Sequence, residues 1–168
     1  RSLDAIPAVQ FVTKFEGATA AVIATFHATR RWQHGWPRKT GTKSQIRINA
    51  MAQNVSEFIW HRLSEWGLKR VYGYPGDGVG SLDVALEKAK DVMEYVQVRH
   101  EEMAAFMASA HAKFTGQVGL CYATSGPGAI HLLNGLYDAK LDHMPVVALV
   151  GQTPRTALGA SYQQEVDL

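Results

Sequence analysis

What this chain lacks narrows it before any motif is read. A single cysteine, Cys121, can form no internal disulfide and leaves no second thiolate for a metal cluster. A disulfide-stapled secreted fold and a zinc ribbon are therefore both excluded. No apolar run approaches the roughly 20 residues that cross a bilayer as a helix, and Val146 to Val150 is representative of the runs present. There is no internal repeat and no low-complexity tract. With 46% hydrophobic and 19% charged residues among 168, the composition is that of a globular chain, not a disordered, collagenous or coiled-coil one. The lone cysteine and the absence of a span point to a reducing, cytoplasmic setting.

Acidic residues are scarce in one part of the chain only. Residues 1–50 carry eight Lys/Arg and two Asp/Glu, whereas 51–168 carry nine and thirteen, so a net charge of +2 is the sum of +6 and −4. Two unlike pieces are joined. In 1–50 no periodicity persists: Ala18 to Phe26 is apolar enough for a turn or two of helix, and Arg30-Arg31-Trp32 and Gly35-Trp36-Pro37 prevent that pattern from continuing. The expectation is a poorly ordered basic leader. Such a leader fits an organelle-targeting presequence, a nucleic-acid or membrane patch, or sequence upstream of a start at Met51 that carries no function.

From Met51 onward the pattern organises. Asn54 and Glu57 have capping-box spacing, followed by Val55, Phe58, Ile59, Leu63 and Trp66 at helical spacing before Gly67. Four short apolar runs of strand character come next: Arg70 to Gly73, Met93 to Val98, Val118 to Tyr122 and Val146 to Val150. Helical patterns lie between them, at Val79 to Lys90, Glu101 to Thr115 and Pro127 to Leu141. Alternation of this kind implies crossover connections, hence an α/β fold with an open, mostly parallel sheet and helices on both faces.

Open parallel sheets bind ligands beyond the carboxyl ends of their strands. In this chain those ends read Gly73-Tyr74-Pro75-Gly76-Asp77-Gly78, Arg99-His100-Glu101-Glu102, Thr124-Ser125-Gly126-Pro127-Gly128 and Gly151-Gln152-Thr153-Pro154. Glycines let a backbone approach a ligand, and a helix start offers free amides to an anion. Each also has a plain structural reading, as a tight turn or as a cap with proline in the first helical turn. Glu101 and Glu102 could simply complement a helix dipole, and His100 could simply cap. Glu101 stands out because the small face Ala104, Ala105, Ala108 would let it be buried, and burial would raise its pKa towards neutrality.

Several sharper motifs fail. Ala104 stands where a zinc protease needs its second histidine, Ser81 and His131 replace the last glycine of a dinucleotide fingerprint, and no Walker lysine comes after either loop. Cys121, inside an apolar strand, reads as an inert core residue.

Taken together, Gly73-Tyr74-Pro75-Gly76, Arg99-His100-Glu101-Glu102-Met103-Ala104-Ala105-Phe106, Ser125-Gly126-Pro127-Gly128 and Gln163-Gln164-Glu165 resemble the N-terminal pyrimidine-binding domain of thiamine-diphosphate enzymes of the pyruvate oxidase and acetolactate synthase group. The stretch His131 to Ala139 looks most like pyruvate oxidase. The resemblance covers 51–168 and none of 1–50. It implies that Glu101 hydrogen-bonds N1′ of the cofactor's aminopyrimidine, promoting the imino tautomer that forms the ylide, which attacks a 2-oxo acid such as pyruvate. It also implies that Gly73, Tyr74, Pro75 and Gly76, with Ser125, Gly126, Pro127 and Gly128, pack near the pyrimidine, and that Gln164 faces the substrate side.

The departures from the family pattern carry expectations too. Family members hold the diphosphate and its magnesium in a C-terminal domain through Gly-Asp-Gly and a later asparagine, and some carry FAD in a middle domain. Gly76-Asp77-Gly78 imitates that triplet without the asparagine, so no metal ligand is assigned in this chain. The expectation is a fragment, inactive alone, that forms a homo-oligomer or pairs with a diphosphate-binding domain, with neither nucleic acid nor a membrane span among its partners. The alternatives are a non-catalytic interaction module that pairs with a full-length homologue, and a dinucleotide-binding domain.

Overall fold

The computed structural model describes residues 9–14, 20–26 and 54–167. The elements in chain order are β1 (Val9–Lys14), β2 (Ala20–Phe26), α1 (Val55–Glu65), β3 (Arg70–Gly73), α2 (Gly80–Lys88), β4 (Glu94–Gln97), α3 (Glu101–Thr115), β5 (Gly119–Ala123), α4 (Pro127–Leu141) and β6 (Val146–Gly151). One six-stranded sheet runs in the order β1-β2-β6-β5-β3-β4. The four strands from β3 to β6 pair in parallel, as the alternating pattern requires.

The leader departs from expectation. Ala20–Phe26 is a strand rather than a helical turn, antiparallel both to β1 and to β6. Its β-branched and aromatic residues, Val22, Ile23, Thr25 and Phe26, suit a pleated surface, and the unpaired edge of β6 supplies the ladder that local propensity could not anticipate. The expected disorder of 1–50 otherwise lies outside the described residues.

Period-two alternation assigns each central strand residue to one face. Val71, Leu120, Tyr122, Val147 and Leu149 point towards α1 and α2, in a cluster closed by Trp60, Leu82 and Leu86. Tyr72, Cys121, Ala123, Val146, Ala148 and Val150 point towards α3 and α4. Trp60 is fully buried, and its indole N–H donates to Leu82 O at 2.9 Å, tying α1 to α2 while satisfying the ring's only donor. On the other face the small residues Ala104, Ala105, Ala108 and Ala112 let α3 settle close to the sheet. A Cβ on Gly119 would lie 2.1 Å from Ala108 O, so glycine at that position is a condition of the contact.

Helix ends obey their caps. Asn54 and Glu57 form the expected reciprocal box, with Glu57 N–H donating to Asn54 Oδ1 at 2.8 Å. His100 caps α3 by accepting from Glu102 N–H, and Gly116, at φ 68°, ends it. The strand expected over Met93 to Val98 is shorter, at Glu94–Gln97: Met93 N–H bonds back to Ala89 O in the turn after α2, while Val98 N–H still donates to Gly73 O. The helix expected from Val79 begins at Gly80, after a 3-10 turn over Asp77–Val79.

Candidate functional site

The chain leaves β3 for α2 on one face and leaves β5 for α4 on the other, and β3 and β5 are adjacent. Loops that diverge to opposite faces from neighbouring parallel strands open a crevice at their carboxyl ends. The expected glycine-rich segments meet there. A Cβ on Gly76 would lie 2.6 Å from Thr124 Cβ, and one on Gly78 would lie 2.5 Å from Ser125 Oγ. Gly78 N–H donates to Thr124 Oγ1 at 3.1 Å. Glycine in this loop thus serves close packing of the two loops. Gly73 serves the same end one layer deeper, against the ring of Tyr122.

The turn after β5 is set by Gly126, which takes φ 64° and ψ −119°, a conformation that L side chains rarely adopt, and Pro127 opens α4. No side chain caps this helix, so Ser125 is not the cap its position suggested. The buried Ser125 hydroxyl instead donates to Gln164 Oε1 at 3.0 Å. A Cβ on Gly126 would fall 2.8 Å from Gln164, itself at φ 61°. Gln164 therefore stands at the same turn as Ser125 and Gly126, although 38 residues separate it from Gly126 in sequence. Tyr74 is exposed, and Pro75 lines a separate cavity of about 520 Å³ under α2 and β4, on whose wall Tyr122 donates to Asp83 at 2.8 Å. Glu101 has no part in that cavity.

Glu101 opens α3, and its side chain is only 12% exposed. One carboxylate oxygen, Oε2, lies 3.0 Å from His131 Nδ1 on α4. The other, Oε1, faces α4 at Gly128, where a Cβ would stand 3.3 Å from it and 2.8 Å from Thr124 Cγ2. Burial is the largest single influence on this carboxyl and pushes its pKa up. The His131 hydrogen bond, the backbone amide at the helix start and the nearby imidazoles of His131 and His100 together outweigh burial, so the pKa lies below the ordinary 4.5. The expected rise towards neutrality is thereby corrected. Burial was legible, but the histidine that opposes it comes from another helix.

His131, the hydrogen-bond partner of Glu101, was not among the candidate site residues read from the sequence. Its signal was present but weak: it stands one helical turn beyond Gly128, on the side of α4 that faces the start of α3. Its ring stacks on His100, with centroids 4.3 Å apart. Glu102 accepts from Asn134 Nδ2 at 3.0 Å and belongs to the rim rather than to the crevice.

A doubly wound sheet, parallel from β3 to β6, with a largely buried glutamate at the mouth of its switch-point crevice has the form of a cofactor-binding α/β domain. The sequence model of the family described as "Thiamine pyrophosphate enzyme, N-terminal TPP binding domain" matches residues 53–168, and the chain belongs to that family. Among relatives, the pyruvate oxidase of Lactiplantibacillus plantarum is 47% identical over 105 residues, 62% of this chain and 17% of that protein. The acetolactate synthase isozyme 2 large subunit of Escherichia coli is 42% identical over 115 residues, 68% of this chain and 21% of that protein. The chloroplastic acetolactate synthase 2 of Zea mays is 40% identical over 113 residues, 67% and 18% respectively. The chain thus spans about a fifth of the length of these relatives. Among the described residues no helix is long and apolar enough to cross a membrane.

Proposed function

We propose that residues 53–168 supply the pyrimidine side of a thiamine diphosphate site in an enzyme acting on 2-oxo acids such as pyruvate. The observation that carries this reading is the Glu101 carboxylate itself, its side chain only 12% exposed at the mouth of the crevice, with Oε2 3.0 Å from His131 Nδ1 and Oε1 set against α4 at Gly128. When bound, thiamine diphosphate supplies an acidic carbon and an electron sink for decarboxylation. Glu101, held ionised, accepts a hydrogen bond from a ring N–H and so keeps a proton on the pyrimidine nitrogen; His131 orients it, and Ser125 and Gln164 line the adjoining turn. In this reading magnesium, the diphosphate contacts and any flavin belong to a partner domain.

A second feature supports pairing with such a domain or with another copy of the chain. Ile130, Leu133, Tyr137 and Leu141 form an exposed apolar stripe along α4, and Phe114 on α3 is 90% exposed. Contiguous exposed apolar surface of this kind marks interaction sites.

The test is calorimetric titration of the 168-residue chain with thiamine diphosphate and magnesium, with NAD alongside. Binding of thiamine diphosphate in preference to NAD is expected, weakened about tenfold in Glu101→Gln, the scale of one charge-assisted hydrogen bond. Unchanged affinity in that variant, or tighter binding of NAD, would refute the reading. Pyruvate turnover by the chain alone is expected to be negligible. Turnover that Glu101→Gln abolishes would show instead that the chain needs no partner.

A further inference from the structure

Two helices bring three metal-ligating side chains to one point. His100 caps α3, Glu101 begins it, and His131 projects from the second turn of α4. One ligand atom from each lies within 4.8 Å of the others, the only such group of three among the described residues. We propose that His100, Glu101 and His131 form a binding site for a borderline divalent transition-metal ion, with Zn2+ as the reference ion.

The donor set fits that class. Two imidazoles and one carboxylate suit zinc, nickel or copper, whereas magnesium takes oxygen ligands and keeps its waters. Ligand bonds of about 2.0–2.1 Å place neighbouring donor atoms roughly 3.0–3.4 Å apart. His131 Nδ1 and Glu101 Oε2, at 3.0 Å, already have that spacing. His100 closes the remaining gap by side-chain rotation, which its 48% exposure permits, as does the 41% exposure of His131. An orienting partner for His100 lies within reach of a small side-chain movement. Its Nδ1 lies 3.9 Å from Glu102 Oε2, and Glu102 is itself anchored by Asn134. With His100 Nε2 on the ion, Nδ1 carries the ring proton, so the ring gives up its cap on Glu102 N–H and turns that proton towards the Glu102 carboxylate, in the carboxylate–histidine–metal arrangement.

Three protein ligands leave at least one coordination position open, and the site lies at the crevice mouth rather than in the core. The ion replaces the hydrogen bond between His131 and Glu101, so metal occupancy takes Glu101 out of proton exchange. That consequence rests on Glu101 facing the pyrimidine; the metal site itself does not.

The experiment is isothermal titration of the metal-free 168-residue chain with ZnCl2 and, separately, with MgCl2. One zinc equivalent per chain is expected, with no matching magnesium isotherm, and with affinity at least tenfold lower in His100→Ala and in His131→Ala. His131→Gln keeps a polar contact to Glu101 while removing the ligand, so it should show the same zinc loss with unfolding unchanged. His61→Ala, outside the cluster, should bind as the parent does. Zinc binding that survives in the His100→Ala/His131→Ala double variant, or that falls equally in His61→Ala, overturns the site. So does a parent chain that binds zinc no better than magnesium. None of these failures bears on thiamine diphosphate affinity, which is read in its own titration.

Discussion

Gly135→Ala tests whether the two helices that carry the site are as closely pressed as the structure shows. Gly135 lies in the middle of α4, where alanine is favoured over glycine by about 1 kcal/mol in an unobstructed helix. Here a Cβ would fall 2.5 Å from Phe106 N and 2.6 Å from both Ala105 C and Ala105 Cβ, two of the three being backbone atoms of α3. Ordinary carbon contacts are about 3.5–4.0 Å, so α3 would have to move by roughly 1 Å. It is also seated on the sheet where Ala108 O meets Gly119, so lateral movement breaks a second close contact. Overpacking of this kind costs about 1–3 kcal/mol. With two contacts engaged, the upper part of that range applies. Subtracting the propensity gain leaves a net loss of about 2 kcal/mol, a fall in Tm of roughly 6–10 °C for a domain of this size. Gly80→Ala is the control, because nothing lies within 4 Å of its Cβ position at the start of α2. It should be neutral or stabilising by up to about 1 kcal/mol. Urea unfolding with matched m-values reads both variants. Gly135→Ala also separates Glu101 on α3 from His131 on α4, so thiamine diphosphate affinity should fall at temperatures where the variant is fully folded. A Gly135→Ala chain as stable as its parent, or more so, would refute the close-packing argument.

Two further outcomes rest on the charge and burial of single groups. Lys113 bridges Asp138 and Asp142 at 2.7 Å each, and the buried Ser109 hydroxyl also donates to Asp138 at 2.7 Å. The Lys113 hydrogen bond, then that of Ser109, holds the Asp138 pKa below its ordinary 3.8, and Asp138, then Asp142, raises that of Lys113 above 10.5. The lowered carboxyl contributes stability that is present above pH 3.8 and lost as pH falls through its folded value; the raised amine contributes stability that is present below pH 10.5 and lost above it. Lys113→Met should therefore cost at most about 1 kcal/mol at neutral pH, given the exposure of the pair, and should flatten the acid limb of a stability–pH profile. An unchanged acid limb would show that the network contributes nothing. Cys121 is fully buried, and its thiol is pushed up to about 12, so a thiol reagent should label it only at the rate of unfolding. Stoichiometric labelling of the folded chain within minutes would contradict its place in the core.

The parts of this fold that were legible in sequence are those whose determinants are local. Helices α3 and α4 have the bounds that their caps and breakers imply, His100 and Gly116 for one, Pro127 for the other. Strands β3 and β6 read through their apolar runs, because a parallel strand buried on both faces has no polar residues to obscure it. The β2 strand was not legible. Its partner β6 lies more than 100 residues away in sequence, and an apolar stretch of seven residues does not declare which ladder will receive it. Edge strand β4, half exposed, shortened for the opposite reason, having one neighbour to define its ends.

The candidate site divides along the same line. Glu101 was identifiable from its place after a strand and before a small-residue helix face, both readable within a few residues. Its charge state was not, because burial is announced by its own helix whereas the opposing hydrogen bond comes from His131, 30 residues on. A histidine in the second turn of an amphipathic helix reads as surface until the crossing of that helix is known, and the close approach of α4 to α3 depends on Gly135, whose packing against Ala105 and Phe106 no local pattern announces. The resemblance therefore located the carboxylate, while the packing of α3 on α4 set its surroundings: Oε2 held by His131, Oε1 against the backbone of α4 at Gly128, and the proton affinity kept below the ordinary carboxyl value.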